Sequence, residues 1–125
     1  MKLLTLALAI ALLSTNQLPA GEKMISGAQS FELSQRERQV LQKRAEKGDA
    51  DAAFKLHRYF DVVKLSTKEA RHWLKKAAAG GHVVAQYNLA MMLLDEGANA
   101  EAKKWLKAAS AQGDKAAADA LKRLP

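Results

Sequence analysis

Three glycine-led segments, GDADAAFKL from Gly48, GHVVAQYNL from Gly81 and GDKAAADAL from Gly113, constrain this chain's fold more than any other feature. They stand 33 and 32 residues apart, a period in the range of helical repeat arrays. The agreement runs in both directions from each glycine. Leu41, Leu74 and Leu106 stand seven residues before it, and Ala45, Ala78 and Ser110 three before. Ala52, Ala85 and Ala117 follow four residues after, and Leu56, Leu89 and Leu121 eight after. A unit of this size cannot bury its apolar face alone, so the pattern predicts stacking of successive units.

Each unit reads as a pair of helices. Ala52, Leu56, Tyr59 and Phe60, then Ala85, Leu89, Met92 and Leu93, recur at three- and four-residue intervals and form one apolar face. The second helix of each pair carries Val40, Leu41 and Ala45, then Ala70, Trp73, Leu74 and Ala77, then Ala102, Trp105, Leu106 and Ala109. Trp73 and Trp105 share a repeat column, which assigns both to the core. Ser34-x-x-Glu37 and Ser66-x-x-Glu69 have the spacing of a capping box, and Asn99 is placed to cap a third helix of this type. The junction glycines end one helix and turn the chain into the next. The prediction is an all-α fold of about three helix pairs, with helices near 35–47, 50–63, 67–79, 83–95, 99–111 and 114–123, stacked as a short right-handed α-α superhelix. Phe31 and Leu33 are expected to fold back onto the first helix.

The chain before the repeats has a different character. Met1 and Lys2 open it, Leu3 to Leu13 form an apolar run interrupted by Thr5, and STNQLPA then turns polar and ends on a small residue. This is the three-part pattern of a secretory signal peptide, with an apolar core too short for a permanent span. Residues 1–20 are therefore expected to be a cleaved leader, residues 21–33 a flexible lead-in and residues 34–125 the helical-repeat domain, exported to the periplasm with no stable membrane insertion after cleavage. The 125 residues contain no cysteine, so the exported fold must be stabilised by burial without disulfides.

The segment AQYNLAMMLLDEGANAEAKKWLKAASAQGD, from Ala85 to Asp114, resembles a unit of the Sel-one-like repeat family, relatives of the tetratricopeptide repeats. The resemblance extends over about residues 35–123. It departs from the family where DVVKLST, between the helices of the first unit, lacks the family's loop glycine. It departs again at His57, where the family prefers a small residue and Ala90 conforms.

Catalytic chemistry finds little support in these residues. His57, His72 and His82 show no HxxxH or HExxH spacing, no serine sits in a nucleophile elbow, and Gly80-Gly81 is not followed by the lysine and serine of a phosphate loop. No enzyme activity, metal or cofactor is expected. The net charge of +7 comes from Lys and Arg interspersed with Glu and Asp without interleaved aromatics, which reads as a solvated face and not as a nucleic-acid surface.

A stack of helix pairs presents a groove lined by the first helix of each pair, and such surfaces bind proteins. Its outward candidates are Asp51, Lys55 and Arg58, followed by Gln86, Asn88, Met91 and Asp95. Met91 is placed outward because Met92 takes the core position. The family resemblance implies an immunity protein that binds and neutralises an antibacterial toxin, such as a phospholipase effector of type VI secretion. The alternative is a constitutive periplasmic adaptor or regulatory protein with an endogenous envelope partner. Apolar end faces suit a homodimer formed through the ends of the stack.

Overall fold

The structure, a computed structural model, describes residues 32–125. The expected leader, Phe31 and all of the lead-in but its last two residues lie outside the described residues. Among the described residues the fold is all-α: α1 (Gln35–Glu46), α2 (Ala50–Arg58), α3 (Thr67–Ala79), α4 (Val83–Asp95), α5 (Asn99–Ala111) and α6 (Lys115–Arg123), with a π-helical turn (Tyr59–Val63) continuing α2. Each helix packs chiefly on the helices before and after it in the chain.

The repeat glycines work through two linked hydrogen bonds. At Gly48, whose φ is +96°, the glycine N–H donates to the Ala45 carbonyl at 3.0 Å and the Asp49 N–H donates to the Arg44 carbonyl at 3.1 Å. The same pair recurs at Gly81 and Gly113, and again at Gly97 inside the last full unit. This arrangement satisfies carbonyls that the end of a helix would leave unpaired, and it requires a residue in the left-handed region.

The residue that completes the pair then caps the next helix. Asp49 accepts from the Ala52 N–H at 2.9 Å, Asp114 accepts from the Ala117 N–H at 2.8 Å, and His82 Nδ1 accepts from the Ala85 N–H at 3.2 Å. These three caps occupy one repeat column, immediately after the glycine. At the starts of the second-type helices the expected caps are realised unevenly. Ser34 and Glu37 form the complete box. Ser66 Oγ donates to the Glu69 carboxylate and makes no cap bond to the backbone. Asn99 does not cap: the helix begins at Asn99 itself, and Ala98 occupies the cap position without a side-chain bond.

Leu33 packs against the core as expected, and the core is built from the repeat columns. Leu56, Leu74, Leu89 and Leu106 are fully buried, each stabilising the fold by roughly 1.5–3 kcal/mol. Ala45, Ala52, Ala78, Ala85 and Ala117 are buried between them and let neighbouring helices approach. Trp73 is buried, and Trp105, assigned to the core by the same column, packs against it while only half-buried.

The helix expected over 50–63 changes character at Tyr59. In the last full unit Gly81 and Gly97 are 16 residues apart, and in the preceding unit Gly48 and the corresponding Leu65 are 17 apart. The extra residue is absorbed by the π-helical turn: the Lys64 N–H reaches back to the Tyr59 carbonyl and the Ser66 N–H to the Phe60 carbonyl. Leu65 then takes the left-handed conformation, with φ +49°, that Gly97 takes in the next unit. His57, where the repeat family prefers a small residue, places its Nδ1 2.9 Å from the Ala70 carbonyl and ties α2 to α3.

Ionic contacts reinforce the junctions. Arg44 Nη2 lies 2.6 Å from Asp49 Oδ2 across the first reversal. Arg71 of α3 grips Glu96, at the end of α4, through both guanidinium nitrogens, and this raises the Arg71 pKa and lowers that of Glu96. The Ala52 N–H, followed by Arg44, holds the Asp49 carboxyl below its ordinary value.

Two outcomes are expected. Gly81→Ala, which places a side chain at φ +94°, should lower stability by about 1–2 kcal/mol, while Leu65→Gly should leave it unchanged or raise it. Thermal melts decide, and a large loss on Leu65→Gly would overturn the account of the π-helical turn. A carboxylate whose folded pKa is depressed contributes stability that is present above its unfolded value and is lost as pH falls through its folded value. The gap in melting temperature between wild type and Asp49→Asn should therefore be open at neutral pH and close as pH falls through and below the ordinary value of 3.8.

Candidate functional site

The outward candidates do not line one groove. Lys55 is exposed on α2 and joins Leu33, Arg36, Val40, Leu41 and Arg44 around an open cleft of about 380 Å³ against α1. Met91 is half-buried on α4 and lines a second open cleft of about 370 Å³, formed with Tyr87 and Leu94 of the same helix and with Ala116, Asp119, Ala120 and Arg123 of α6, closed at one end by Leu124. Asp51 is exposed, with Oδ1 3.8 Å from His82 Nε2. Arg58 and Asp95 are exposed, and Asn88 is half-buried.

Gln86 requires correction. Its side chain is 5% exposed and cannot serve as an outward contact. Its Nε2 donates to the Ala78 carbonyl at 3.2 Å, and its Oε1 accepts from Gln112 Nε2 at 2.9 Å. Gln112 also donates to the Gly81 carbonyl at 3.0 Å. The two glutamines thus bridge the ends of α3 and α5 to the start of α4. A buried amide is stable only when its polar atoms find partners, and here both ends of the amide do.

The α4–α6 cleft has a cause in the repeat. At the third and seventh residues after the glycine, α4 carries Val84 and Asn88, whereas α6 carries Ala116 and Ala120. The smaller pair on α6 leaves open the space in front of Tyr87 and Met91. Sequence reasoning identified Met91 but missed Tyr87, Leu94 and the α6 wall. The loss of volume in two repeat columns was the available signal. The cleft is predominantly apolar, with Asp119 and Arg123 at its edge and Asp119 3.5 Å from Lys122. An amphipathic peptide segment suits such a lining.

The three histidines remain apart. His82 caps α4 and stacks on Phe54, with ring centroids 4.0 Å apart. His57 bonds to the α3 backbone, and His72 lies exposed with its ring edge-on to Trp73. Among the described residues no group of three His, Cys, Asp or Glu is arranged to hold a metal ion. No helix among them is long and apolar enough to cross a membrane.

Comparison with known proteins adds one relationship. No protein-family model matches the chain, and no solved structure matches it. Over 72 residues it is 31% identical to the uncharacterized protein YibG of Escherichia coli (strain K12), an alignment that takes in 58% of this chain and 47% of that protein. The chain thus spans about half the length of this curated relative.

Replacing Gln86 tests the placement of the candidates. Gln86→Ala should cost about 1–3 kcal/mol, because it opens a void and leaves the Ala78 carbonyl without its side-chain donor. Lys55→Ala should stay within about 0.5 kcal/mol of wild type, as exposed substitutions do. Chemical denaturation of both variants measures the contrast, and equal stabilities would contradict a buried Gln86.

Proposed function

We propose that the chain is an exported protein-binding module whose helix pairs stack as a short right-handed superhelix, and that it acts in the periplasm as an immunity protein against an antibacterial toxin. The observation that carries the binding role is the α4–α6 cleft, where Tyr87, Met91 and Leu94 face an α6 wall of alanines. An apolar cleft with a charged edge is the usual form of a site for a partner's amphipathic segment. The histidines support a role without turnover, since each is engaged in a cap, a backbone bond or a ring contact. The assignment of the partner as a toxin, such as a phospholipase effector of type VI secretion, rests on the resemblance to Sel-one-like repeats.

On this reading Met91 and Tyr87 are contact residues, with Asn88 and Asp95 on the same helix, while Asp51, Lys55 and Arg58 stand on α2, apart from that cleft. The α1–α2 cleft around Lys55 gives the same molecule a second, more basic contact. Gln86 acts from within, by holding the start of α4 in place.

Native capture with the tagged protein from the envelope fraction of the producing cells tests this proposal. A single stoichiometric toxic enzyme should be recovered, and its activity should be blocked by the bound chain. Met91→Glu, which places a charge in the cleft, should weaken that complex by at least about tenfold while leaving the melting temperature near wild type. Recovery of a resident envelope protein through the same cleft would instead identify a constitutive adaptor. Capture indifferent to Met91→Glu would remove the cleft from the interface.

A further inference from the structure

Net positive charge is spread over α1, α3, α5 and α6 and is largest on α3. α3 carries Lys68, Arg71, Lys75 and Lys76 against the single acid Glu69, and α5 carries Lys103, Lys104 and Lys107 against Glu101. Of the helices that line the apolar cleft, α4 contains Asp95 and no basic residue, and α6 carries Lys115, Lys122 and Arg123 against Asp119, the same balance as α5. The bias also follows the repeat. Lys75 and Lys107 share one column, and His72 and Lys104 share another three residues earlier. The corresponding positions of α1 are Gln42 and Gln39.

α3 and α5 are linked near both ends. At their starts, Arg71 of α3 is held by Glu96 and feels the charge of Glu101 on α5. At their ends, Gln112, which follows α5, donates to the Gly81 carbonyl, which follows α3. Lys68, His72, Lys75 and Ala79 form an exposed stripe on α3, and Ala100, Lys104, Lys107 and Ala111 form the equivalent stripe on α5. The acids of both helices stand in their first turns, with Glu69 occupied by Ser66. Lys75 acts on the Glu96 carboxylate and Lys104 shares a cleft with Glu101, yet none of Lys68, Lys75, Lys76, Lys104 and Lys107 is held in a salt bridge among the described residues. Favourable placement at a helix C-terminus accounts for Lys76. It does not account for Lys104, in the middle of α5.

An aromatic ring completes the face. Trp105 is half-buried, packs against the core and lines a shallow cleft with Glu101, Lys104 and Ala108, whereas Trp73, in the same repeat column, is buried. We propose that the α3–α5 face docks on the surface of an anionic phospholipid bilayer, with the lysines over the headgroups and Trp105 at the interface. Lysine is a flexible, strongly hydrated point charge suited to a diffuse anionic surface, whereas paired phosphate recognition favours the guanidinium fork, and Arg71 is already engaged. A tryptophan among lysines has the amphipathic character of an interfacial anchor. Nucleic acid is the weaker match, because single-strand binding requires a row of stacking aromatics, and among the described residues this face offers only His72, edge-on to Trp73, and the half-buried Trp105. Docking through α3 and α5 leaves the α4–α6 cleft to a protein partner.

The test is co-sedimentation of the processed, exported protein with phosphatidylglycerol-containing vesicles and with neutral phosphatidylcholine vesicles. Binding should be specific to the anionic vesicles and should fall steeply as salt rises from about 0.1 M to 0.5 M. Each lysine near such a surface contributes roughly fivefold, so the combined change Lys75→Glu, Lys104→Glu and Lys107→Glu should reduce affinity by at least about 100-fold. The same number of reversals elsewhere, at Lys55, Lys115 and Lys122, should reduce it by less than about tenfold. Vesicle binding by the wild type should also shield Trp105 from acrylamide quenching, a readout that needs no variant. Equal binding to neutral vesicles, equal losses in the two triple variants, or displacement of the protein from vesicles by a DNA duplex at matched charge would each overturn the proposal.

Discussion

The pair of hydrogen bonds that closes a helix onto a left-handed glycine is the interaction on which the rest of this structure depends. At Gly48, Gly81 and Gly113 the glycine N–H and the following N–H both turn back to carbonyls of the helix just ended. The residue supplying the second N–H then caps the next helix with its own side chain. Termination and initiation thus share one residue, and the connection shrinks to a few residues. So short a connection leaves little freedom in how one helix leaves the other. The leucines seven before and eight after each glycine are thereby delivered to the same interior. The side chain after the glycine need only be a good acceptor, and His82 takes the place of aspartate by presenting an unprotonated Nδ1.

Against this regular frame, the unit between Gly48 and Gly81 has to absorb one extra residue. A uniform α-helix carrying it would rotate every later side chain by about 100° and swing the apolar stripe out of the core. Confining the insertion to Tyr59–Val63 avoids that rotation, because wider hydrogen-bonded turns take up the added residue locally. The consequences are visible nearby. Tyr59 is buried with Arg38 and Lys64 over its ring, at 5.2 and 5.8 Å from the centroid. Leu65 adopts a conformation that bulky residues seldom take and is 80% exposed at the tip of the turn. The unequal spacing of 33 and 32 residues was the trace of this feature in the sequence.

Much of the architecture was legible because it rests on periodicity. The six helices, the reversal glycines and the leucine and alanine columns all follow from the spacing of apolar residues, and the helix bounds differ from expectation by a residue or two except at the π-helical turn. What escaped depends on relations across units. The inward turn of Gln86 could not be read from its own helix, because it depends on Gln112, 26 residues later, and on the Ala78 carbonyl. Asn99 is a good capping residue in isolation, yet the bonds closing around Gly97 place Ala98 at the cap position and draw Asn99 into the helix.

Columns that face inward are nearly uniform among the units, so any difference between units must be written in the columns that face outward. Two pairs of these columns set the surfaces described here. Three and seven residues after the glycine, the exchange of Val84 and Asn88 for Ala116 and Ala120 removes volume and opens the cleft before Tyr87 and Met91. Six and nine residues before it, the exchange of Gln42 and Gln39 for lysine or histidine in the later units adds charge to the exposed stripes of α3 and α5. Neither exchange disturbs a buried residue, so both surfaces could be acquired with little effect on stability. The apolar cleft belongs to the first-type helices α4 and α6 and the basic face to the second-type helices α3 and α5. The two surfaces can therefore vary independently, since a substitution that alters one does not touch the columns that build the other.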